Sequence, residues 1–239
     1  MKSRLLSRRT KQSPTKRYQL FDEGISVAKE IKVVGLGGSL SAQSSSLAAL
    51  KIALEGAAEA GAQTELLDIR ELSLPMYVPD MSEVPESVYR LCESVQMAAG
   101  LLWSSPLYHG TISGSFKNAL DWLQLLSDRK PSYLTDKVVG LISTAGGTQG
   151  LQAVNTMEFV VRALRGWAVP LVIPIPQAWR VFDSTGHSHD AKIAEQLHAL
   201  GREVTRAARS FTSQIITTPD IERAEAQVQP ISQAEAKDS

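Results

Sequence analysis

Residues 31–46 read Ile31-Lys32-Val33-Val34-Gly35-Leu36-Gly37-Gly38-Ser39-Leu40-Ser41-Ala42-Gln43-Ser44-Ser45-Ser46, and the segment beyond them carries apolar residues at Leu47, Leu50, Leu54 and Ala57. The apolar run predicts a strand, the small-residue stretch a turn, and the spacing that follows a helix. A loop that feeds a helix N-terminus aims backbone N–H groups and the positive end of the helix dipole at one spot. Five serines, Ser39, Ser41, Ser44, Ser45 and Ser46, add hydroxyls there. The spot suits a phosphate.

The same alternation repeats toward the C-terminus. Apolar segments at 63–69, 99–104, 137–143 and 168–175 read as strands, and helical spacing recurs at 87–97, 115–126, 151–165 and 190–211. The stretch 70–85, with Pro75, Pro79 and Pro85, reads as a loop. Five strands alternating with five helices predict an α/β doubly wound parallel sheet. Right-handed crossovers favour the flavodoxin-like order 2-1-3-4-5. In that order the loops 37–46, 105–114 and 144–150 meet at the carboxyl edge of the sheet. They are the most turn-rich and hydroxyl-rich loops of the chain.

Composition bounds the partners. Residues 1–20 carry seven basic and no acidic side chains, which leaves 18 basic against 25 acidic residues in 21–239. The body is therefore acidic and unlike a nucleic-acid binder. Three readings are open for the basic start: a solvated extension (our default), an organelle transit peptide, or an arm for nucleic acid or a membrane surface. No apolar run approaches a membrane span. Cys92 is the only cysteine, so no intrachain disulfide is expected, and the chain suits a reducing compartment such as the cytoplasm. The expected organisation is a flexible basic extension at 1–30, one domain at 31–211 and a polar tail at 212–239.

Two phosphate ligands compete for the first loop. A dinucleotide fingerprint needs a third glycine, and Gly35-Leu36-Gly37-Gly38-Ser39-Leu40 has Leu40 there. Asp68, the nearest candidate for a ribose acid, lies 33 residues beyond Gly35 rather than about 20; an exposed strand-end Asp is the simpler reading. A terminal phosphomonoester such as that of flavin mononucleotide fits better. Ser39, Ser41, Ser44 and Ser46 would supply hydroxyls and the first helical turn amides, unless Ser44–Ser46 only cap the helix.

The second loop, Pro106-Leu107-Tyr108-His109-Gly110 through Phe116-Lys117-Asn118-Ala119-Leu120-Asp121, taken with Gly38-Ser39-Leu40-Ser41 and Ser44, resembles the NADPH-dependent FMN reductase family. Thr144-Ala145-Gly146-Gly147 and Gly150 fit the same pattern, and the resemblance covers about 31–211. It implies that the backbone of Pro106, Leu107, Tyr108, His109 and Gly110 meets the polar end of the isoalloxazine. It implies likewise that Ser143, Ala145, Gly146 and Gly147 approach the ring. Tyr108 either lines the ring or packs its own loop. His109 is expected to touch ring or nicotinamide rather than to act as an acid. Lys117 and Asp121 are spaced for an ion pair on one helix face. Many family members carry Arg where Ser41 stands; Arg180 or a partner's Arg is a possible substitute.

The resulting expectation is an FMN-dependent NAD(P)H oxidoreductase. Hydride passes from NADPH or NADH to bound FMN and on to a small-molecule electron acceptor such as free flavin or a quinone. The flavin carries the chemistry, and neither a catalytic side chain nor a metal is expected. The alternative is a flavodoxin-type electron carrier, for which Trp103, Tyr108 and Trp179 are the aromatic residues expected near the sheet edge. A third possibility is a flavin-free interaction protein using the basic arm. Trp122, Leu123, Leu125 and Leu126 are too many for one buried helix face and suggest a homodimer or homotetramer.

Overall fold

A computed structural model describes residues 30–217, apart from 80 and 82. The basic extension lies outside these residues save for Glu30, as does the tail from 218 on. Strand β1 (Ile31–Gly37) leads into α1 (Ser45–Glu59), then β2 (Ala62–Asp68), a single turn α2 (Ile69–Leu72), α3 (Glu86–Met97) and β3 (Gly100–Tyr108). There follow β4 (Thr111–Ile112), α4 (Gly114–Trp122), β5 (Val138–Thr144), α5 (Leu151–Ala163), β6 (Trp167–Ile175) and α6 (Ala191–Thr217). The sheet runs β2-β1-β3-β5-β6, all pairs parallel, with β4 paired antiparallel to β3. This is the expected five-strand order with one short addition.

Both faces of the central strands are buried, as their unbroken apolar runs require. On one face Val33, Leu102 and Ile142 pack under α1 and α6. On the other, Leu101, Trp103 and Leu141 pack under α3, α4 and α5. Alternate residues of each strand thus feed opposite layers.

Helices α1 and α6 approach backbone to backbone. A methyl added at Gly201 would lie 1.9 Å from the Ala53 carbonyl oxygen, and one at Gly56 2.2 Å from that of His198. Thr205, fully buried, donates to the Gly201 carbonyl at 3.0 Å, and Arg209 donates to the Ala60 carbonyl at 3.1 Å at the C-terminal end of α1. The helix that carries the first loop is held along its length by the last helix.

Several boundaries differ from the sequence reading. Strand β3 runs on to Tyr108, because Ser105 and Pro106 stay in register with β5 and Leu107 and Tyr108 pair with β4. Ile69 opens α2 instead of ending β2, since the Asp68 carboxylate accepts from the Arg70 amide and caps that turn. The α4 segment tightens into a 3-10 turn at Leu123–Leu126. That change of pitch turns Trp122, Leu123 and Leu126 inward, leaving Leu125 exposed. The apolar run therefore satisfies itself within one chain, and the argument for an oligomer drawn from it falls. Helix α5 stops at Ala163, and α6 continues past 211 to Thr217.

Replacing a helical glycine by alanine ordinarily favours a helix by about 1 kcal/mol. At position 201 the opposite sign is expected. Gly201→Ala should lower stability in urea by about 1–3 kcal/mol, because the methyl enters the α1 backbone.

Candidate functional site

The loop after β1 is fixed by its neighbour strand. A Cβ at Gly37 would sit 2.3 Å from the Ser104 carbonyl oxygen, so only glycine allows the approach. Gly38, with φ of 94°, donates its amide to that same oxygen at 3.2 Å. Ser104, fully buried, returns a hydrogen bond from Oγ to the Ser46 carbonyl at 2.8 Å.

The loop serines have local tasks. Ser39 Oγ accepts from the Ser41 amide, and Ser41 Oγ donates to the Gln43 carbonyl. Ser44 is the N-cap of α1; its Oγ accepts from the Leu47 amide at 3.1 Å and shares a hydrogen bond with Ser46 Oγ. The intrahelical ladder begins with the Ala48 amide bonding the Ser44 carbonyl. The amides of Ser45 and Ser46 therefore precede it and remain as donors at the positive end of a 15-residue helix.

The second and third loops close the other sides. His109 and Gly110, with φ of 49° and 86°, form a two-residue turn between β3 and β4. Both central residues with positive φ make this the hairpin turn that matches strand twist, and it leaves Tyr108 half exposed at the sheet edge. After β5, the Ala145 amide donates to the Ile175 carbonyl and the Ala178 amide to the Ala145 carbonyl, each at 2.9 Å. Gln177, with φ of 46°, donates its amide to the Gly147 carbonyl. Beyond the adjoining residues of the chain, no atom lies within 4 Å of where a side chain of Gly146 or Gly147 would begin, so that backbone faces open space.

Together these loops enclose a groove of about 230 Å³. Of the residues singled out from sequence, Ser39, Ser41, Ser44, Ser46, Pro106, Leu107, Tyr108, Ala145 and Gly146 line it. Four lie off its wall. His109 and Gly110 occupy the hairpin turn, and Gly147 adjoins Gly146. Ser143 is fully buried, with its hydroxyl donated to the Gly150 carbonyl at 2.6 Å.

The wall also includes Gln43, Ser45, Thr144, Ala178 and Trp179. Trp179 is 64% exposed, with the Arg180 guanidinium 4.6 Å from its ring centre. Its signal was a large aromatic just past the end of β6, but the 3-10 turn at Ala178–Arg180 that aims it has no clear sequence mark. Trp103, expected near the edge, is instead fully buried against Phe116. Its position on β3 points it into the layer under α3–α5.

No acidic or basic side chain lines the groove. Asp68 is buried and committed to its capping bond, so the exposed strand-end reading does not hold. Lys117 and Asp121 pair with each other on α4. Cys92 is buried 3.6 Å from the Trp122 carbonyl, and burial pushes its thiol up to about 11. It stays protonated and inert at neutral pH. The groove thus offers amides, hydroxyls and two aromatic rings, a donor set for an anionic group joined to a flat one.

The family model described as NADPH-dependent FMN reductase matches residues 31–180. A protein named NAD(P)H-dependent FMN reductase PA1204, from Pseudomonas aeruginosa, is 31% identical over 186 residues, which is 75% of this chain and 98% of that one. The NADPH-dependent FMN reductase ArsH of Acidithiobacillus ferrooxidans is 34% identical over 127 residues, covering 53% of this chain and 52% of its own length. The chain thus spans about half of that relative. Among solved structures, FerB, a flavoenzyme NAD(P)H:(acceptor) oxidoreductase from Paracoccus denitrificans, superposes with a TM-score of 0.63 at 21% identity, over 76% of this chain and 98% of that one. That likeness speaks for the fold.

The stitching of the first loop can be tested without any ligand. Ser44→Ala should cost about 1 kcal/mol, the usual worth of an N-cap. Gly37→Ala should cost about 2–3 kcal/mol, since it forces β1 and β3 apart. Urea denaturation of both variants checks the order.

Proposed function

The chain belongs to the NADPH-dependent FMN reductase family, and we propose that it is an FMN-dependent NAD(P)H oxidoreductase acting on a small-molecule electron acceptor. The observation that carries this reading is the groove itself. Its lining is rich in donors and free of charged side chains, and it sits where the three carboxyl-edge loops meet. Bound FMN would supply the chemistry, accepting hydride from reduced nicotinamide and yielding electrons to the acceptor.

The residues present fit that group. The Ser45 and Ser46 amides and the α1 dipole would hold the phosphate, and no carboxylate stands in the groove wall to repel it. Opening of the local Ser39, Ser41 and Ser44 bonds would add hydroxyl donors. The 106–108 backbone would face the polar edge of the ring, with His109 and Gly110 setting the turn beyond it. The open backbone at Gly146 and Gly147 leaves room for ring and nicotinamide to lie flat, and Ser143 would support this loop from below through Gly150. Tyr108 and Trp179 would flank the entrance and limit water. No side chain in the lining is placed as an acid, base or nucleophile, in keeping with hydride chemistry that needs none.

Among the described residues no helix is long and apolar enough to cross a membrane. We place the activity in the cytoplasm, a reading supported by a lone, buried cysteine. A homodimer or homotetramer is supported by the exposed Phe159 and Trp167, at 73% and 58%.

Purified protein should be yellow or become so on FMN titration, and should oxidise NADPH or NADH. A protein that binds no FMN and oxidises neither nucleotide overturns the proposal. One that binds FMN, oxidises neither, and takes electrons from a separate reductase is a flavodoxin-type carrier. Because the groove lacks a cation, Ser41→Arg should tighten FMN about tenfold by adding a charge-assisted bond to the phosphate, measured by flavin fluorescence.

A further inference from the structure

A second hollow, of about 550 Å³, lies along β6, the strand at one end of the sheet. Only residues 164–166 join α5 to β6, and Arg165, with φ of 67°, turns the chain between them. Glu158, Val161, Arg162 and Arg165 line the hollow from the helix and the turn, Trp167 and Pro170 from the strand. Trp167 opens β6, whereas the groove described above lies where the strands end. The two therefore sit at opposite edges of the sheet.

The hollow is open and positively charged. Trp167 stays 58% exposed although Phe211 of α6 packs against it, with ring centres 5.5 Å apart. The Arg162 guanidinium has no hydrogen-bond or ion-pair partner among the described residues. That of Arg165 donates to Ser132 Oγ at 2.8 Å and lies 5.9 Å from the centre of the Tyr133 ring. Glu158 is the one acid in the lining, against these two cations. Among the described residues β6 has a neighbour strand on one side only, so its outer edge offers backbone groups, save at Pro170, which has no amide. An indole, two guanidiniums and a free strand edge suit an acidic stretch of chain with apolar side chains between its carboxylates.

Such a stretch starts close by. Helix α6 carries the chain past Trp167 at Phe211 and ends six residues later at Thr217, about 9 Å further along its axis. Residues 218–239 follow, with Asp220, Glu222, Glu225, Glu235 and Asp238 against only Arg223 and Lys237, and with Ile221, Val228 and Ile231 as apolar side chains. The start of the chain has the wrong sign for this surface, with seven basic residues and no acid in 1–20. We propose that the tail beyond α6, from Asp220 to Ile231, docks in this hollow, with its carboxylates against Arg162 and Arg165 and its apolar side chains against Trp167. Tethering makes the contact intramolecular, so weak pairs suffice to hold it. The tail then covers the sheet edge, and Phe159, which lies outside the lining, is left as the surface for contact between copies.

The test is acrylamide quenching of tryptophan fluorescence in the full chain carrying Trp179→Phe. Trp103 and Trp122 are buried, so Trp167 is then the exposed tryptophan that acrylamide reaches. In the full chain it should be protected. Deleting residues 218–239, which removes no described residue, should expose it. Arg162→Glu, and separately Glu222→Arg with Glu225→Arg, should each raise the quenching constant about threefold by breaking surface charge pairs. The tail variants alter no described contact, so the result does not depend on how the Arg162 variant folds. Quenching unchanged by the deletion, or unchanged by either charge reversal, overturns the inference. So does protection that rises with protein concentration, which puts a second copy on the hollow. None of these readouts involves FMN, so the flavin assignment stands or falls separately.

Discussion

The close approach of β1 to β3 at Gly37 governs everything built above it. With a side chain there, the Ser104 carbonyl could not reach the Gly38 amide. Without that bond and the return bond from Ser104 Oγ to Ser46, the loop would have no fixed height over the sheet. The donors at the start of α1 act on a ligand only if they point where the other two loops also point. Two hydrogen bonds and one missing methyl secure that convergence. An anion site made of backbone amides has no long side chain to correct a misplaced loop, so its precision must come from the strand beneath.

The second constraint comes from the opposite end of the same helix. Gly56 and Gly201 let α1 and α6 touch through their backbones, and along the seam Glu59 meets His198 Nδ1 at 3.0 Å and pairs with Arg202. These exposed pairs contribute little by themselves. The backbone contact is what fixes the axis of α1, and so the direction in which its N-terminus presents Ser45 and Ser46. Loop and helix are thus set independently, one by β3 and the other by α6, and the groove exists where the two agree.

Much of this was legible in the sequence because the fold is written in buried strands. Continuous apolar runs announced β1, β3 and β5, and the turn-rich stretches between them announced the edge where ligands bind. The second loop was readable only through its family resemblance, since Pro106-Leu107-Tyr108-His109-Gly110 alone does not reveal a strand that continues to Tyr108 before turning. The errors share a physical cause. Trp103 looks like an edge aromatic and the 122–126 run like surplus apolar surface until the opposite layer is known, and burial by a distant helix leaves no local trace. Asp68 looked like an exposed strand-end carboxylate because the turn whose Arg70 amide it caps leaves no mark in the sequence. Trp179 was visible as an aromatic past the last strand, but its aim depends on Gln177 adopting a left-handed conformation that its residue type does not favour.

The absence of charged side chains from the groove wall has a physical logic. A cation inside the loop would bind a phosphate strongly but would also attract any phosphate in solution and must be desolvated to work. Backbone amides have no such cost when their helix is already held, and they discriminate by position. The helix therefore offers fixed dipoles to a group that must be placed accurately. That would explain how a phosphate loop with Ser41 in place of arginine can serve a flavin: the loop orients the phosphate through amides and hydroxyls and leaves affinity to the rest of the groove wall.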